Sequence, residues 1–298
     1  MKTAKTKYID YVAGHYVPIF IQDWYLDAVS DVPWDVLEIQ EKGETIGFWP
    51  YMQKNKFGVS YIIPPMLCPF MGPVFFEKTE LNEDAIISQF PKHQLFIQDI
   101  LHNTDHLHID QGNKWTYVFE NVASIDDLIL SNSTKRNIRK AEKTLSIKEV
   151  SDFDVFFDLL DSFFSNQQKE NPYDKATFKK LDLALSQHHS RKIFFAIDEN
   201  NVPVALEYMM EDEKWVYNFA NGYDNSYRHN GVSLLLWHII KYAFEQKKNF
   251  DFEGSMIPGV ETFFKSFGAT KKPYLSITKS KNILTDLILK IKNPNIIQ

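Results

Sequence analysis

The stretch that decides the fold runs from Trp215 to Ala269 and reads WVYNFANGYDNSYRHNGVSLLLWHIIKYAFEQKKNFDFEGSMIPGVETFFKSFGA. Residues 215–220 alternate large apolar side chains with polar ones, as a half-buried strand does. From Val232 the apolar positions recur every three or four residues, which predicts an amphipathic helix. The stretch therefore predicts a strand, a polar loop, a helix, a short acidic strand and a second helix that ends at Gly268.

The polar loop 221–230 and the helix start are a candidate anion site. The first turn of an α-helix has N–H groups without an acceptor inside the helix, and the helix dipole adds positive charge there. Arg228 precedes this turn, and Gly231 and Ser233 lie in it. These residues are candidates for binding a phosphate or another anion. The alternative for Arg228 is an ordinary surface-loop arginine.

Three carboxylates are candidates for acid–base chemistry. Asp251 and Glu253 share one face of the short strand NFDFEGS (249–255), and Glu207 lies within the mainly apolar strand PVALEYMMED (203–212). Burial raises the pKa of a carboxyl, which suits a group that removes a proton near neutral pH. For Asp251 and Glu253, capping the following turn is the structural alternative.

Three motifs together resemble the FemABX family of peptidyltransferases: DFEGS (251–255), PGVETFFKSFGA (258–269) and TKRNIRKAEK (134–143). The resemblance implies an α+β fold with two GNAT-like domains, each a mixed, mostly antiparallel sheet flanked by helices. It also implies that Lys265, within the Phe-Lys-x-x-Phe-Gly run, is catalytic and acts at the donor's phosphate or reacting ester. Asp251 and Glu253 would then orient Lys265 or accept the amine proton.

The resemblance also suggests how a donor is held. GNAT proteins splay two adjacent strands around the donor, which makes Tyr217 and Asn218 candidate donor contacts. The GNAT phosphate-loop pattern is Gln or Arg, two residues, Gly, one residue, then Gly or Ala. Arg228 and Gly231 fit this pattern, but Ser233 stands at its last position. A coenzyme A donor is therefore less well matched than the rest of the family pattern.

Length and composition indicate a packed protein with two domains. The 298 residues are 44% hydrophobic and 15% aromatic, and the net charge is −6, so any basic site must be local. We predict an N-terminal GNAT-like domain on the acceptor side over 1–123, a second with the donor and catalytic motifs over 124–280, and a C-terminal helix over 281–298. This last helix is expected to dock on the first domain, with a membrane-surface contact as the alternative.

The sequence also predicts where the protein resides. The single cysteine, Cys68, excludes an internal disulfide and is compatible with a reducing cytoplasm. No apolar signal-peptide region follows Met1. Residues 57–76 lack charged side chains, but their prolines exclude a spanning helix. We therefore expect a cytoplasmic protein without a transmembrane segment.

A basic helix is predicted over 131–145. Its cations recur at helical spacing in an otherwise acidic protein: Lys135, Arg136, Arg139, Lys140 and Lys143. A solvated surface is one interpretation, and contact with tRNA phosphates or anionic headgroups is the other. Lys135, Arg136 and Arg139 are therefore also candidate donor-binding residues.

Two further regions carry weaker signals. The proline-rich segment after residue 63 is interpreted as core packing or as the wall of an acceptor groove, with Met66, Phe70 and Gly72 as the groove residues. His102, His106 and His108 lie close together but lack a carboxylate or cysteine partner at a recognised spacing. No metal site and no tightly bound cofactor are predicted.

Two hypotheses follow from these patterns. In the first, the protein is an acyltransferase that forms an amide between an amine acceptor, such as a cell-wall precursor, and the acyl group of aminoacyl-tRNA or acyl-CoA. Such a reaction can proceed without a covalent nucleophile because proximity supplies roughly 7–11 kcal/mol. In the second, the two-domain scaffold is a non-catalytic binding module.

Overall fold

The computed structural model describes residues 2–56, 59–79, 81–90, 95–100, 114–226, 230–254 and 256–280. The chain divides into two compact units. Unit 1 comprises Met1–Lys114 and Pro273–Gln298, and unit 2 comprises Trp115–Lys272. The His102, His106 and His108 group, Arg228 and the tail 281–298 lie outside the described residues.

Unit 1 contains a sheet of five strands before residue 114. Two helices precede the first of these strands, and a third helix lies between the fourth and the fifth. Its elements are α1 (Ala4–Val12), α2 (Asp23–Val29), β1 (Trp34–Glu41), β2 (Glu44–Lys56), β3 (Val59–Ile62), β4 (Val74–Phe75), α3 (Glu83–Ile87) and β5 (Leu95–Ile100). β1 and β2 form a hairpin, in which Lys42 and Gly43 both adopt positive φ. β2 pairs antiparallel with β3, and β3 pairs parallel with β5.

The core of unit 1 contains the middle of the proline-rich segment. Phe70 is 2% exposed and meets the ring of Tyr274 edge-on at 4.8 Å, and Gly72 is also buried. Met66 is 54% exposed. For Phe70 the core-packing interpretation therefore replaces the predicted acceptor groove, because an aromatic ring enclosed by other rings cannot line an open channel.

Unit 2 contains the strand, helix, short strand and second helix predicted for residues 215–269. Its elements are β6 (Lys114–Phe119), α4 (Asn132–Ala141), β7 (Ser146–Val150), α5 (Phe153–Asn166), α6 (Lys175–Gln187), β8 (Arg191–Ile197), β9 (Pro203–Glu211), β10 (Trp215–Tyr223), α7 (Gly231–Glu245), β11 (Asn249–Asp251) and α8 (Pro258–Lys265). A last strand, β12 (Thr270–Ser280), leads back into unit 1, where Leu275–Ser280 pair antiparallel with β5.

The sheet of unit 2 has the strand order β7-β8-β9-β10-β11-β6. All neighbouring pairs are antiparallel except β10 with β11, which is parallel. Apolar residues of α4, α7 and α8 pack in one cluster with Met209 and Val216 of the sheet. Side chains of α5 and α6 pack on the opposite face, where Phe156 and Phe178 contact the ring of Tyr208. Successive strand residues point to opposite faces, so β9 contributes to both layers.

The division between the units differs from the predicted boundaries. We expected the second domain to begin at residue 124 and to extend to 280, but the structure begins unit 2 at Trp115 and ends it at Lys272. The reason is strand pairing: β6 pairs with β11 of unit 2, whereas the second half of β12 pairs with β5 of unit 1. Among the described residues, we find no helix with the length and apolarity needed to cross a membrane.

Candidate active site

A cavity of about 870 Å³ lies within unit 2. Two strands and three helices form its walls, each with a different chemical character. The residues are Glu207 of β9; Asn218, Asn221 and Tyr223 of β10 with Asp224 and Asn225 after it; Arg136, Asn137 and Lys140 of α4; Asn230, Gly231, Val232, Ser233 and Leu236 at the start of α7; and Gly259, Val260, Phe263 and Phe264 of α8. The cavity thus combines one buried acid, several amides, two cations and an apolar wall.

A β-bulge in β10 gathers the polar side chains of the sheet. Asn218 pairs with Met209, whereas Asn221 pairs with Glu207, so Phe219 is the extra residue between them. Residues directly opposite each other in a sheet share a face, and so do residues two apart on one strand. Asn218 and Asn221 therefore both lie on the face of Glu207, which three-residue spacing in a regular strand would not allow.

Glu207 is the buried acid of the cavity. Its side chain is 0% exposed, and burial raises its pKa well above the usual range for a glutamate. The Asn218 amide lies 2.8 Å from Glu207 Oε1 and 3.3 Å from Oε2. A carboxyl in this environment is a proton acceptor of increased basicity.

Two cations lie across the cavity from the sheet, on α4. Arg136 and Lys140 are both exposed, and their spacing of four places them on one face of the helix. Residues of the first turn of α7, from Gly231 to Ser233, line the same cavity. Helix N-termini attract anions through their N–H groups and dipole. This side of the cavity is consequently suited to a phosphate group.

Contacts with the end of α8 hold α4 in place. The Ser131 amide donates to the Ser266 carbonyl at 2.8 Å, and Thr134 Oγ1 donates to Ser266 Oγ at 2.7 Å. Gly268 has φ +86°, and a Cβ there would approach the Ile129 carbonyl oxygen to 2.9 Å. The segment that leads into α4 thus passes so close to Gly268 that a larger side chain would clash with it, which explains the glycine at the end of the Phe-Lys-x-x-Phe-Gly run.

Residues 251–254 of the DFEGS motif turn away at the end of β11. Thr116 Oγ1 donates to Asp251 Oδ1 at 2.5 Å, and the Glu253 amide donates to the same oxygen at 2.8 Å. Burial raises the pKa of Asp251 to about 6, and these two hydrogen bonds limit the rise. A Cβ on Gly254 would lie 2.7 Å from the Trp115 carbonyl oxygen. Asp251 therefore supports the turn, as the structural alternative expected.

Glu253 is held in an unusual backbone conformation. Its φ is +57°, in the left-handed region, and burial, with a smaller contribution from the charge of Asp251, raises its pKa well above the usual range. Its buried Oε1 has no hydrogen-bond partner among the described residues. Glu253 is not among the residues that line the cavity.

Comparisons with known proteins agree with this architecture. Residues 130–265 match the family model described as an acetyltransferase (GNAT) domain. The crystal structure of FemX is similar over 97% of this chain and 99% of its own, with a TM-score of 0.67 and 11% identity. The chain has a FemX-like tandem GNAT fold. The predicted fold class and the predicted resemblance are thereby confirmed.

Two other solved structures are similar to this chain. L-PGS from Bacillus licheniformis matches with a TM-score of 0.55 and 12% identity, covering 90% of each chain. The C-terminal domain (DUF2156) of a putative lysylphosphatidylglycerol synthetase from Agrobacterium fabrum matches with a TM-score of 0.53 and 12% identity, covering 90% of this chain and 91% of its own. A comparison with curated proteins gave no significant match.

Lys265 of the Phe-Lys-x-x-Phe-Gly run lies outside the cavity lining. Its side chain is 56% exposed and forms an ion pair with Glu261 at 2.7 Å. Tyr117 donates to Glu261 Oε1 at 2.6 Å, and the Lys265 ammonium lies 5.7 Å from the centre of the Tyr117 ring. These contacts raise the pKa of Lys265, the hydrogen bond to Glu261 contributing most. The lysine is therefore a charged residue in a surface cluster of this GNAT unit.

The remaining predicted residues divide into two groups. Glu207, Asn218, Gly231, Ser233 and Arg136 come together around the cavity. Tyr217, Lys135 and Arg139 do not line it, and the Tyr217 hydroxyl instead donates to Asp212 at 2.8 Å. Sequence reasoning missed Asn221, Asn137 and Lys140 as site residues. Helical spacing from Arg136 could have identified Lys140, whereas Asn221 depends on the bulge.

Proposed function

We propose that the cavity of unit 2 is the site of an acyl transfer that forms an amide. The observation that carries this proposal is the presence of a buried carboxyl and a cationic edge in one cavity. Glu207 can accept a proton on the sheet side, while Arg136 and Lys140 can hold the anionic part of a donor on the helix side. The match of residues 130–265 to a GNAT domain supports the reaction class.

In the proposed reaction, a neutral amine attacks the carbonyl carbon of an activated acyl group. A C–N bond forms and the C–O bond of an ester, or the C–S bond of a thioester, breaks. The proton lost by the amine passes to Glu207 and then to the departing oxygen or sulfur. General base catalysis of this kind contributes about 10²–10⁴-fold to a rate. The remaining rate acceleration comes from holding both reactants in one cavity.

We further propose that the donor is an aminoacyl-tRNA, with acyl-CoA as the second candidate. The Agrobacterium protein is a putative lysylphosphatidylglycerol synthetase, so a protein of this fold is associated with a lysyl group. The cations of α4 suit either a tRNA phosphate or the phosphates of coenzyme A. A wall precursor with a free side-chain amine is the proposed acceptor.

The decisive experiment is a single-turnover assay with both donors. A pool of charged tRNAs with labelled amino acids, and separately labelled acetyl-CoA, would be mixed with a wall-precursor peptide or with glycine methyl ester as a generic amine. We expect Glu207→Gln to lower the single-turnover rate by about 100-fold or more while the protein remains folded. Activity equal to that of the wild type would exclude Glu207 as the base. No transfer from either donor would favour the non-catalytic binding module.

Paired variants on α4 test the donor site. Replacing Arg136 and Lys140 by Ala should weaken donor binding and lower its salt dependence, because each lost phosphate contact reduces the salt slope by about 0.7–0.9. The matched control replaces Lys135 and Arg139 by Ala, which removes the same charge from the same helix outside the cavity lining. Equal effects of the two pairs would show that helix charge alone, and not the cavity, attracts the donor. Donor affinity is measured by filter binding at several salt concentrations.

A further inference from the structure

The contact between Glu207 and Asn218 requires that one of the two groups supplies a proton. The Asn218 amide atom nearest Glu207 lies 2.8 Å from Oε1, which is hydrogen-bonding distance. That same amide atom lies 3.3 Å from Asn221 Nδ2, and the other lies 3.3 Å from the Phe252 carbonyl oxygen. Each of these three neighbours constrains which end of the amide may face it.

The Asn218 amide can adopt two orientations. The first satisfies all three contacts when Glu207 is protonated. Asn218 Nδ2 donates to the Phe252 carbonyl, and Asn221 Nδ2 donates to Asn218 Oδ1. Asn218 Oδ1 then faces Glu207, so the carboxylic acid must donate its own proton to that oxygen. With an ionised Glu207, two oxygens would meet at 2.8 Å without a hydrogen between them.

The second arrangement suits an ionised Glu207. Reversing the Asn218 amide lets Nδ2 donate to both carboxylate oxygens, at 2.8 and 3.3 Å. The reversed nitrogen then faces Asn221 Nδ2 at 3.3 Å, so Asn221 must also reverse and present its oxygen. The cost is at Phe252, whose carbonyl then faces the Asn218 oxygen. A charge-assisted hydrogen bond is roughly twice as strong as a neutral one, which offsets this cost.

We infer that Asn218 and Asn221 are positioning residues that couple the proton on Glu207 to the hydrogen-bonding character of the cavity. While Glu207 holds the proton, Asn221 uses its N–H groups toward Asn218 and leaves its oxygen for a ligand. Once Glu207 loses the proton, Asn221 turns and offers its N–H groups instead. The cavity wall therefore changes from an acceptor to a donor of hydrogen bonds. This inference goes beyond the proposed acyl transfer and does not depend on it.

Glu207 is the carboxyl in contact with Asn218, whereas Glu253, a second buried acid whose charge also acts on Tyr173, does not line the cavity. Arg136 and Lys140 of α4 and Asp224 after β10 line the same cavity, and the lining residues of α7 and α8 are uncharged. Tyr173, from the segment before α6, also interacts with Glu207, but burial raises the pKa of Tyr173 to about 12, so it stays neutral at ordinary pH. Phe194 of β8 pairs with Glu207 across the sheet.

Nuclear magnetic resonance on the full chain tests the coupling directly. The protein would carry ¹⁵N-asparagine and ¹³C-glutamate and would be titrated over the pH range in which it stays folded. We expect the side-chain amide resonances of Asn218 and Asn221 to shift with the same midpoint as the Glu207 carboxyl resonance. Glu207→Gln has no titrating proton at this position, so both amide resonances should become independent of pH.

A variant of Asn221 separates the contributions of the Asn218 and Asn221 amides. Asn221→Ala should leave the shared midpoint of Glu207 and Asn218 in place, because their direct contact remains. The inference is overturned if the Asn218 amide titrates with a different midpoint, or if its titration persists in Glu207→Gln. It is equally overturned if the wild-type Asn218 resonance does not move across the folded pH range, a result that needs no variant.

Discussion

Asp251 should make unit 2 less stable as the pH rises, and Asp251→Asn should remove this effect. Burial raises the pKa of Asp251 from its ordinary value of 3.8 to about 6. A carboxyl with a higher pKa in the folded than in the unfolded chain lowers the free energy of unfolding above its folded pKa and has no such effect below about pH 4. At about 1.4 kcal/mol for each unit of pKa, ionising Asp251 costs the folded state about 3 kcal/mol at neutral pH and above.

The contacts of Asp251 make the substitution conservative. Both hydrogen bonds it accepts, from Thr116 Oγ1 and from the Glu253 amide, end on Oδ1. The amide oxygen of an asparagine can accept both, so the variant loses the charge and keeps these contacts. Any cost of burying the new NH₂ group is the same at every pH. Relative to the wild type, the variant's free energy of unfolding should therefore rise by about 3 kcal/mol between about pH 4 and about pH 8.

Urea titrations at several pH values measure this difference. Native-state hydrogen exchange of the β6 and β11 amides would report on the unfolding of unit 2, which contains Asp251. Asp174→Asn is the matched control. Asp174 accepts from the Thr177 amide at 2.8 Å, and this bond lowers its pKa, so that variant should lose relative stability as the pH rises. A stability difference for Asp251→Asn that does not change with pH, or that falls like the control's, would refute the reasoning.

Three other predictions test the motif residues. Gly268→Ala should lower the free energy of unfolding by about 1–3 kcal/mol, because the new Cβ meets the Ile129 carbonyl at a positive φ. Gly259→Ala should raise it by up to about 1 kcal/mol, since that glycine lies in α8 with open space around it. Lys265→Met should keep turnover within about threefold of the wild type, because Lys265 lies outside the cavity. A loss of turnover as large as that expected for Glu207→Gln would show that Lys265 takes part in the reaction.

Strong periodicity explains how much of the fold could be predicted. The helix from Gly231 and the strands on either side of it carry clear apolar patterns, and their order and type were predicted correctly. The strand β7 was missed because its side chains are exposed or half-buried, so no alternation marks it. Ser124 and Asp127 form a capping box, but the helix that it begins is only the single turn Ile125–Asp127. A local signal of this kind sets where a turn begins and not how far it continues.

The candidate site was only partly predictable because it depends on tertiary contacts. A sequence motif identifies Lys265 as a member of a pattern, but the direction of its side chain depends on Glu261 and Tyr117. Glu207 carries no motif, and only its place within an apolar strand marked it. Asn221 became a cavity residue through one inserted residue, Phe219. A single insertion in a strand reverses the face of everything beyond it.

The path of the chain through the two units has a consequence for synthesis on the ribosome. Unit 2 occupies one continuous segment, Trp115–Lys272, whereas the sheet of unit 1 needs residues from both ends of the chain. The β5 strand must wait for β12 to be translated before the two can pair. Unit 2 can therefore complete its contacts while the nascent first segment still lacks a strand. During that interval β5 offers an unpaired edge to other nascent chains, a hazard that chaperones relieve.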